Sequence, residues 1–229
     1  MGQGAVTRRW RKVSGPVSPP ATSEYWSRYY EVTADRPAWA TVRIAIASFA
    51  AHDERRRKPR FAVDLGCGAG RDTRELLRAG WRVLAVDREP AGLGVLLSKA
   101  AGEGLDRLQT EIADLAHVVV PPCDLVNANL SLPFLQADDF WATWRGALAA
   151  IGPGGRISAM LFGDRDASAA DADMTCPAPE LIRASLTGFA VEHWVDLEED
   201  SPTALGEPHH FHRVEVVARR TAGRAAPRR

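Results

Sequence analysis

Short runs of apolar residues alternate with longer segments of helical periodicity through most of the chain. Each run has the length of a β-strand, and the segments between them place apolar residues three and four positions apart. This alternation is typical of a parallel sheet with helices on both faces. It predicts strands at residues 61–65, 82–86, 108–112, 124–128 and 156–162. It also predicts one helix that ends before Gly80 and three further helices at 90–101, 138–151 and 179–186.

The last part of the chain has a different pattern. Residues 189–197 and 211–218 look like two further strands, and no helical pattern separates them. A parallel pair needs a crossover connection, so these two strands either pair antiparallel or lie apart. The segment 198–210 between them is acidic and contains Pro202 and Pro208, which predicts a linker.

The N-terminal part carries an aromatic helical pattern. A second apolar run follows Pro37, and proline interrupts helices, so this region is either two helices or one broken helix. An aromatic face of this kind is a natural lid over a ligand site. The residues that share the face are Tyr25, Trp26, Tyr29 and Tyr30.

Composition divides the chain into four parts. The first segment combines Gly, Pro, Ser and Arg without periodicity, and the last is rich in arginine, so both are expected to be flexible and solvated. The predicted parts are a flexible tail at 1–22, a helical lid at 23–58, the main α/β domain at 59–220 and a basic flexible tail at 221–229.

Charge and cysteine content exclude several classes of protein. The 229 residues include 29 Lys plus Arg and 29 Asp plus Glu, so the basic excess of a nucleic-acid-binding protein is missing. Three cysteines without a C-x-x-C pair exclude a disulfide framework and a cysteine-rich zinc site. No apolar stretch has the length of a signal peptide or membrane helix, so we expect a cytoplasmic protein without membrane contact. The oligomeric state stays open between monomer and homodimer.

The strongest chemical signal is a strand that runs into a glycine-rich turn, Val63-Asp64-Leu65-Gly66-Cys67-Gly68-Ala69-Gly70-Arg71. Glycine is needed where the backbone turns sharply against a ligand. The spacing is G-x-G-x-G rather than the dinucleotide fingerprint G-x-G-x-x-G, and Arg71 stands where that fingerprint has a small residue. Asp64 favours a ligand with an ammonium group, because its charge would repel a pyrophosphate.

Two more carboxylates follow at the ends of the next strands. Asp87 lies about 20 residues after the glycines, where a carboxylate accepts hydrogen bonds from ribose hydroxyls. Asp114 follows the third strand and is placed to accept a hydrogen bond from an adenine amino group. Three carboxylates at the ends of successive strands form a more specific pattern than the glycines alone.

The segment from Phe61 to about Phe162 resembles class I S-adenosylmethionine-dependent methyltransferases. The resemblance rests on residues 64–70, 85–87, 113–115 and 124–129 and on the turn 152–155. Gly70-Arg71-Asp72 and residues 161–164 resemble the small-molecule branch that includes tellurite-resistance methyltransferases. The resemblance implies an α/β, Rossmann-like, doubly wound sheet of seven strands, mostly parallel, with the last strand antiparallel and inserted next to the fifth.

The resemblance also implies S-adenosylmethionine as the cofactor. It places the methionine end against Asp64, Gly66 and Asn127, and the ribose on Asp87. The adenine then falls between Arg88, Asp114 and Leu115. The full implied set of cofactor-binding residues is Asp64, Gly66, Cys67, Gly68, Gly70, Asp87, Arg88, Asp114, Leu115 and Asn127, with Cys67 as a packed neutral side chain.

The acceptor site is expected beyond the carboxyl ends of the parallel strands, where the last strand begins. Methyl transfer is an in-line displacement that needs a base when the nucleophile carries a proton, and histidine suits neutral pH. We expect His209 and His210 as candidate bases and Tyr29 or Tyr30 as an orienting hydroxyl. The acidic cluster after the fifth strand either binds a divalent cation or is a solvated loop; we favour the loop and predict no metal. Its members are Asp164, Asp166, Asp171 and Asp173.

The sequence therefore predicts a methyltransferase that acts on a small molecule, and the aromatic lid favours an aromatic or heteroaromatic acceptor. Two alternatives remain: a cofactor-binding regulator without catalysis, and a nicotinamide- or flavin-dependent oxidoreductase. Nucleic-acid methylation is disfavoured, because Asn-Ala-Asn-Leu at 127–130 differs from the Asn/Asp-Pro-Pro-Tyr segment of amino-group nucleic-acid methyltransferases.

Overall fold

The computed structural model describes residues 23–52 and 58–221, so the predicted tails lie outside it except for Thr221. Strands and helices alternate along the described chain, as the apolar pattern predicts. The helices are α1 (Ser23–Thr33), α2 (Ala40–His52), α3 (Arg71–Arg78), α4 (Pro90–Lys99), α5 (Ala137–Ala150) and α6 (Pro179–Ser185). The strands are β1 (Phe61–Leu65), β2 (Arg82–Asp87), β3 (Leu108–Ile112), β4 (Cys123–Asn129), β5 (Ile151–Phe162), β6 (Phe189–Pro202) and β7 (Pro208–Arg220).

The seven strands form one sheet in the order β3-β2-β1-β4-β5-β7-β6. β1 to β5 pair in parallel, whereas β7 runs antiparallel to both β5 and β6. β7 lies between them because the chain returns from β6 without a crossover helix. The predicted mostly parallel, seven-stranded Rossmann-like sheet is confirmed, and so is the antiparallel pairing of the last two strands.

Helices cover both faces of the sheet, and alternate strand residues point to opposite faces. On one face Val63, Leu65 and Val126 pack against α5 and α6. On the other face Ala62 and Leu125 pack against α2, α3 and α4. The central strands are largely buried on both faces, so β1 is mainly apolar, although Asp64 in β1 and Asn127 and Asn129 in β4 interrupt the apolar sequence.

The segment 198–210 is part of a long hairpin, so the predicted linker is wrong. β6 continues to Pro202 and β7 begins at Pro208. The turn between them is closed by a hydrogen bond of 2.7 Å from the Thr203 N–H to the Glu207 carbonyl. The charged residues remain compatible with strands because the ribbon projects its outer face into solvent. Polar side chains also pair across it, as His210 and Asp200 do at 2.8 Å.

The aromatic segment forms two helices, α1 and α2, rather than one broken helix. The start of α3 holds the connection between them. The Trp39 N–H donates to Asp72 at 2.8 Å, and the Arg71 guanidinium donates to the Pro37 carbonyl and stacks on the Trp39 ring. The residues that directly follow the glycine-rich turn therefore hold the segment after α1 in place, and α1 lies over that turn.

Candidate cofactor and acceptor site

The glycine-rich turn wraps over the end of β2. The N–H groups of Gly66 and Cys67 both donate to the Val86 carbonyl, at 2.8 and 3.0 Å. Gly66 has φ +70°, and a Cβ on it would overlap the Ser131 side chain; Gly70 has φ +80° and packs as closely against α4. These positions require glycine because of both backbone conformation and packing.

Asp87, at the end of β2, is held by backbone N–H groups. Gly68 donates to one of its oxygens at 2.7 Å, and Glu89 donates to the other at 2.9 Å. Burial raises the pKa of this carboxyl above its usual value, although the two N–H groups act in the opposite direction. Each oxygen keeps a further lone pair, so the carboxylate can still accept hydrogen bonds from a ligand diol.

A buried polar network joins the ends of β1 and β4 to the start of α3. Asp64 is 2% exposed and accepts from Thr73 at 2.5 Å and from the Asn127 amide at 2.9 Å. The same amide donates to Asp72 at 3.1 Å, and Asn129 donates to Asp72 at 2.7 Å. Burial, followed by the charge of Asp72, raises the pKa of Asp64 to about 7. Two carboxylates in one buried network form a strong site for a ligand cation.

Asp72 and Asn129 are functional candidates that the sequence analysis did not assign. Asp72 directly follows the glycine-rich motif, within the Gly70-Arg71-Asp72 segment already noted, so its position in the sequence was a usable signal. Asn129 ends β4 two residues after Asn127 and therefore points to the same face of the sheet.

The lid helix contributes four aromatic side chains at this end of the sheet: Tyr25, Trp26, Tyr29 and Tyr30. The Tyr30 ring packs against Gly68, and burial raises the pKa of its phenol, with the charges of Asp87 and Glu89 adding to the effect. Burial also raises the pKa of Tyr29. Both phenols therefore remain protonated at neutral pH, and Tyr30 lies near the glycine-rich turn.

One cavity of about 270 Å³ connects all of these groups. Of the predicted cofactor residues, all but Gly70 line it, including Arg88, Asp114 and Leu115. Gly70 instead packs behind the turn against Leu96. Cys67 is buried, and burial raises the pKa of its thiol well above the usual value, as expected for a packed neutral side chain.

The two predicted histidines lie on opposite faces of β7. His209 lines the cavity and contacts Asp166 through Nε2 at 2.9 Å. His210 is its neighbour in the strand, so its ring points away from the cavity and contacts Asp200 and Glu198 at the surface. The structure therefore does not bring His210 to the site. Asp166 was considered in the sequence only as a possible metal ligand.

The acidic cluster after β5 is dispersed by its local contacts. Asp166 turns inward to His209, whereas Asp171 accepts from the Asp173 backbone N–H at 2.9 Å and Asp164 contacts Arg165. Within residues 23–52 and 58–221, no group of three or more His, Cys, Asp or Glu side chains is arranged to hold a metal ion. None of the helices in the same ranges is long and apolar enough to cross a membrane.

Comparison with known proteins agrees with this geometry. Residues 62–155 match the family described as methyltransferase domain. TehB from Haemophilus influenzae is 18% identical, with a TM-score of 0.66 over 87% of this chain and 67% of that one. Magnesium protoporphyrin IX methyltransferase from Synechocystis PCC 6803 with bound S-adenosylhomocysteine is 17% identical, with a TM-score of 0.64 over 87% and 95% of the two chains. Comparison with curated proteins gave no match.

The fold is that of class I methyltransferases, and residues 62–155 match the methyltransferase-domain family. The prediction of a class I S-adenosylmethionine-dependent methyltransferase is thereby confirmed.

Proposed function

We propose that this protein transfers a methyl group from S-adenosylmethionine to a small-molecule acceptor bound in the same cavity. The observation that carries the proposal is the convergence of the glycine-rich turn and the carboxylates of Asp64, Asp72 and Asp87 on one cavity. A methyltransferase domain alone would leave open a regulator that binds the cofactor without catalysis. The continuation of the cavity to His209 and Phe211 on β7 provides space for a second ligand and favours catalysis.

The charges in the cavity match the parts of the cofactor. Asp64 and Asp72 form a negative pair for the ammonium of the methionine end, and Asp87 is placed for the ribose hydroxyls. Arg88 and Asp114, with the Leu115 side chain, form the expected adenine end. When bound, the cofactor would supply an activated methyl group on a positively charged sulfur.

The acceptor end of the cavity is lined mainly by aromatic side chains. α1 contributes Trp26 on one side, and the turn of the β6–β7 hairpin contributes Thr203 and Glu207. Phe134 and Phe162 also line it. An aromatic-lined cavity suits a flat organic molecule better than an extended polymer. We therefore favour an aromatic or heteroaromatic acceptor over nucleic acid.

Tyr30 is better suited to the cofactor than to proton removal from the acceptor. Its raised pKa keeps the phenol protonated, and its ring lies against the glycine-rich turn beside Asp87. We expect it to act as a hydrogen-bond donor and a steric cover for the cofactor. Tyr29 has a similarly raised pKa and also lines the cavity, so it can orient a ligand but not act as a base.

Thermal unfolding with candidate ligands tests the proposal. S-adenosylmethionine and S-adenosylhomocysteine at 100 times Kd should each stabilise the protein by about 2.7 kcal/mol, a rise in Tm of roughly 5–10 °C. NAD and NADP should have no effect, and stabilisation by these alone would refute the proposal. Incubation with methyl-deuterated S-adenosylmethionine and a library of small molecules, read by mass spectrometry, then tests transfer itself. Cofactor binding without any transfer would support the regulator instead.

A further inference from the structure

Aromatic side chains from four parts of the chain form a continuous wall along the acceptor end of the cavity. The ring of Trp26 on α1 lies 5.1 Å from that of Phe134, which lies 6.3 Å from Phe162. Phe162 in turn contacts Phe211, and the His209 ring lies 4.3 Å from Phe211. We call these five residues the aromatic wall. It offers a flat ligand large stacking surfaces and few polar contacts.

Two buried nitrogen atoms of this wall have no hydrogen-bond partner among the described residues. They are Trp26 Nε1 and His209 Nδ1. The His209 residue is 9% exposed. Buried polar atoms in proteins are almost always hydrogen-bonded, so two unpaired atoms on residues that line one cavity favour a ligand that satisfies both. The indole N–H can only donate, so it requires an acceptor atom on the ligand.

The surroundings of Asp166 determine what His209 Nδ1 can do. The Asp166 carboxylate accepts from the Ser168 and His212 backbone N–H groups, both at 2.9 Å, and contacts His209 Nε2 at 2.9 Å. Burial raises the pKa of Asp166, but these hydrogen bonds outweigh burial and leave the pKa below its usual value. An ionised carboxylate only accepts, so Asp166 holds the proton of a neutral His209 ring on Nε2, and the lone pair of that neutral ring is then on Nδ1.

We propose that the acceptor is a hydroxylated aromatic compound whose O–H proton is taken by His209 Nδ1, and whose second oxygen accepts from Trp26 Nε1. This inference rests on the proposed methyl transfer and names its acceptor class. Asp166 is a positioning residue, because it fixes the tautomer of His209 without touching the substrate.

The chemical step balances with these groups. The acceptor oxygen forms the new O–CH3 bond as its proton moves to Nδ1, and the electron pair of the broken S–CH3 bond remains on sulfur. The resulting imidazolium is stabilised by the Asp166 carboxylate. The other ionisable groups near this pair are Cys176, whose raised pKa keeps it neutral, and Arg213 on the same strand, which is paired with Glu199.

A hydroxyl group is the nucleophile that gains most from this arrangement. A phenol has a pKa of about 10 and is mostly protonated at neutral pH, so a base accelerates its reaction strongly. A neutral aromatic amine attacks with its lone pair before it loses a proton. A thiol, with a pKa of about 8.5, already supplies some thiolate near neutrality. The presence of the His209–Asp166 pair therefore favours oxygen as the acceptor atom.

The test uses matched naphthalene probes with the full chain: 2-naphthol, 2-naphthylamine and naphthalene-2-thiol, followed by acetyl-2-naphthols with the carbonyl at different ring positions. We expect methylation of the naphthols, with the best acetyl isomer preferred over 2-naphthol. Methylation of the amine or thiol but not of any naphthol overturns the inference while leaving the proposed function intact. Absence of all O-methylation by a protein that still binds S-adenosylhomocysteine overturns it as well. Failure to bind that product at all would instead refute the proposed function.

Three variants assign the roles. His209→Gln keeps a donor toward Asp166 but removes the base, and should lower kcat with the naphthols by about 100-fold or more. Asp166→Asn should lower kcat with little change in KM and alter the pH profile. Trp26→Phe should raise the KM of the preferred acetyl-2-naphthol about tenfold more than that of 2-naphthol, because only the acetyl compound loses a hydrogen bond from Nε1. His210→Gln, one residue away but outside the cavity, is the matched control and should retain wild-type kinetics.

A readout without turnover completes the test. Nitrogen NMR of the free protein should show His209 protonated at Nε2 and unprotonated at Nδ1, and Asp166→Asn should change this distribution. A proton on Nδ1 in the wild type, or full activity of His209→Gln, overturns the assignment. Binding of S-adenosylhomocysteine by calorimetry should be the same in all four variants, which separates a lost base from a misfolded site.

Discussion

Replacing Asp64 with asparagine tests whether two buried carboxylates are held close together despite their mutual repulsion. The side chain keeps nearly the same shape, and its amide group can donate to Thr73 while its oxygen accepts from Asn127. The change therefore removes a charge next to Asp72 without creating a cavity. We expect the variant to be more stable than the wild type in the absence of ligand and to bind the cofactor less tightly.

The size of the effect follows from the shared Asn127 amide. Its nitrogen lies 2.9 Å from an Asp64 oxygen and 3.1 Å from an Asp72 oxygen, so these oxygens are no more than about 6 Å apart. Two unit charges at that separation repel by about 3 kcal/mol at an effective dielectric constant of about 20. The hydrogen bonds to the new, neutral amide are weaker than those to the carboxylate, which lowers the gain in stability by about 1 kcal/mol. The remaining gain of about 2 kcal/mol corresponds to a rise in Tm of roughly 4–8 °C.

The dependence on pH distinguishes this explanation from improved packing. Because the pKa of Asp64 is raised to about 7 in the folded protein, the folded state retains a proton that the unfolded chain loses near pH 4. The free energy of unfolding of the wild type therefore falls as pH rises from about 4 to about 7. The variant lacks this group, so its advantage should be small at pH 5 and complete at pH 8.

Differential scanning calorimetry at pH 5 and pH 8, with Asp106→Asn as an exposed control, measures the stability difference. Calorimetric titration with S-adenosylhomocysteine at pH 8 should show an affinity about tenfold lower or more, because the ligand ammonium loses a charged partner. An equal difference in Tm at both pH values would show that neither the burial of the Asp64 charge nor its repulsion by Asp72 is the cause. Unchanged affinity would remove Asp64 from the cofactor site.

Three further predictions concern the cofactor site and the scaffold. Asp87→Ala should weaken S-adenosylmethionine binding by roughly 1.5–3 kcal/mol per lost charge-assisted hydrogen bond, measured by calorimetric titration; unchanged affinity would contradict the ribose assignment. Gly66→Ala should lower the free energy of unfolding in urea by more than about 2 kcal/mol, because a Cβ there is strained and overlaps Ser131, whereas Gly80→Ala, also at positive φ but with open space around it, should lose only about 1 kcal/mol. Arg156→Ala should destabilise the fold by about 3 kcal/mol, measured in the same way, since this buried guanidinium pairs with a β6 carboxylate at 2.6 and 3.0 Å; a loss below 1 kcal/mol would show that the pair is not important for stability.

The order of strands and helices was predictable because each element carries its own periodicity. The strands of the parallel core were placed within a few residues of their observed limits, since burial on both faces leaves short, mainly apolar segments such as 61–65, in which Asp64 is the one polar residue. The hairpin of β6 and β7 was predicted too short. Its outer half is a two-stranded ribbon whose charged residues, such as Glu198 and Asp200, face solvent and pair across strands, so its sequence resembles a loop.

The candidate site was predictable where it depends on the ends of consecutive parallel strands. Asp64, Asp87 and Asp114 were found in this way, because such ends always meet at one edge of the sheet. Asp72 lies in a helix start whose orientation depends on how α3 packs. Asp166 joins His209 across 43 positions of sequence, and only the antiparallel insertion of β7 brings them together.

The sequence by itself determined the class of fold and which strand-end carboxylates converge on the candidate site, because a glycine spacing and strand-end carboxylates are local features that every sheet of this type brings together. Tertiary structure alone decided which side chains of β7 and α1 line the rest of the cavity. Neighbouring residues of a strand point to opposite faces, so the position of β7 between β5 and β6 determines that His209 enters the cavity and His210 does not. The pairing of His209 with Asp166, and the closure of the aromatic wall by α1, likewise depend on contacts between distant segments that no local pattern records.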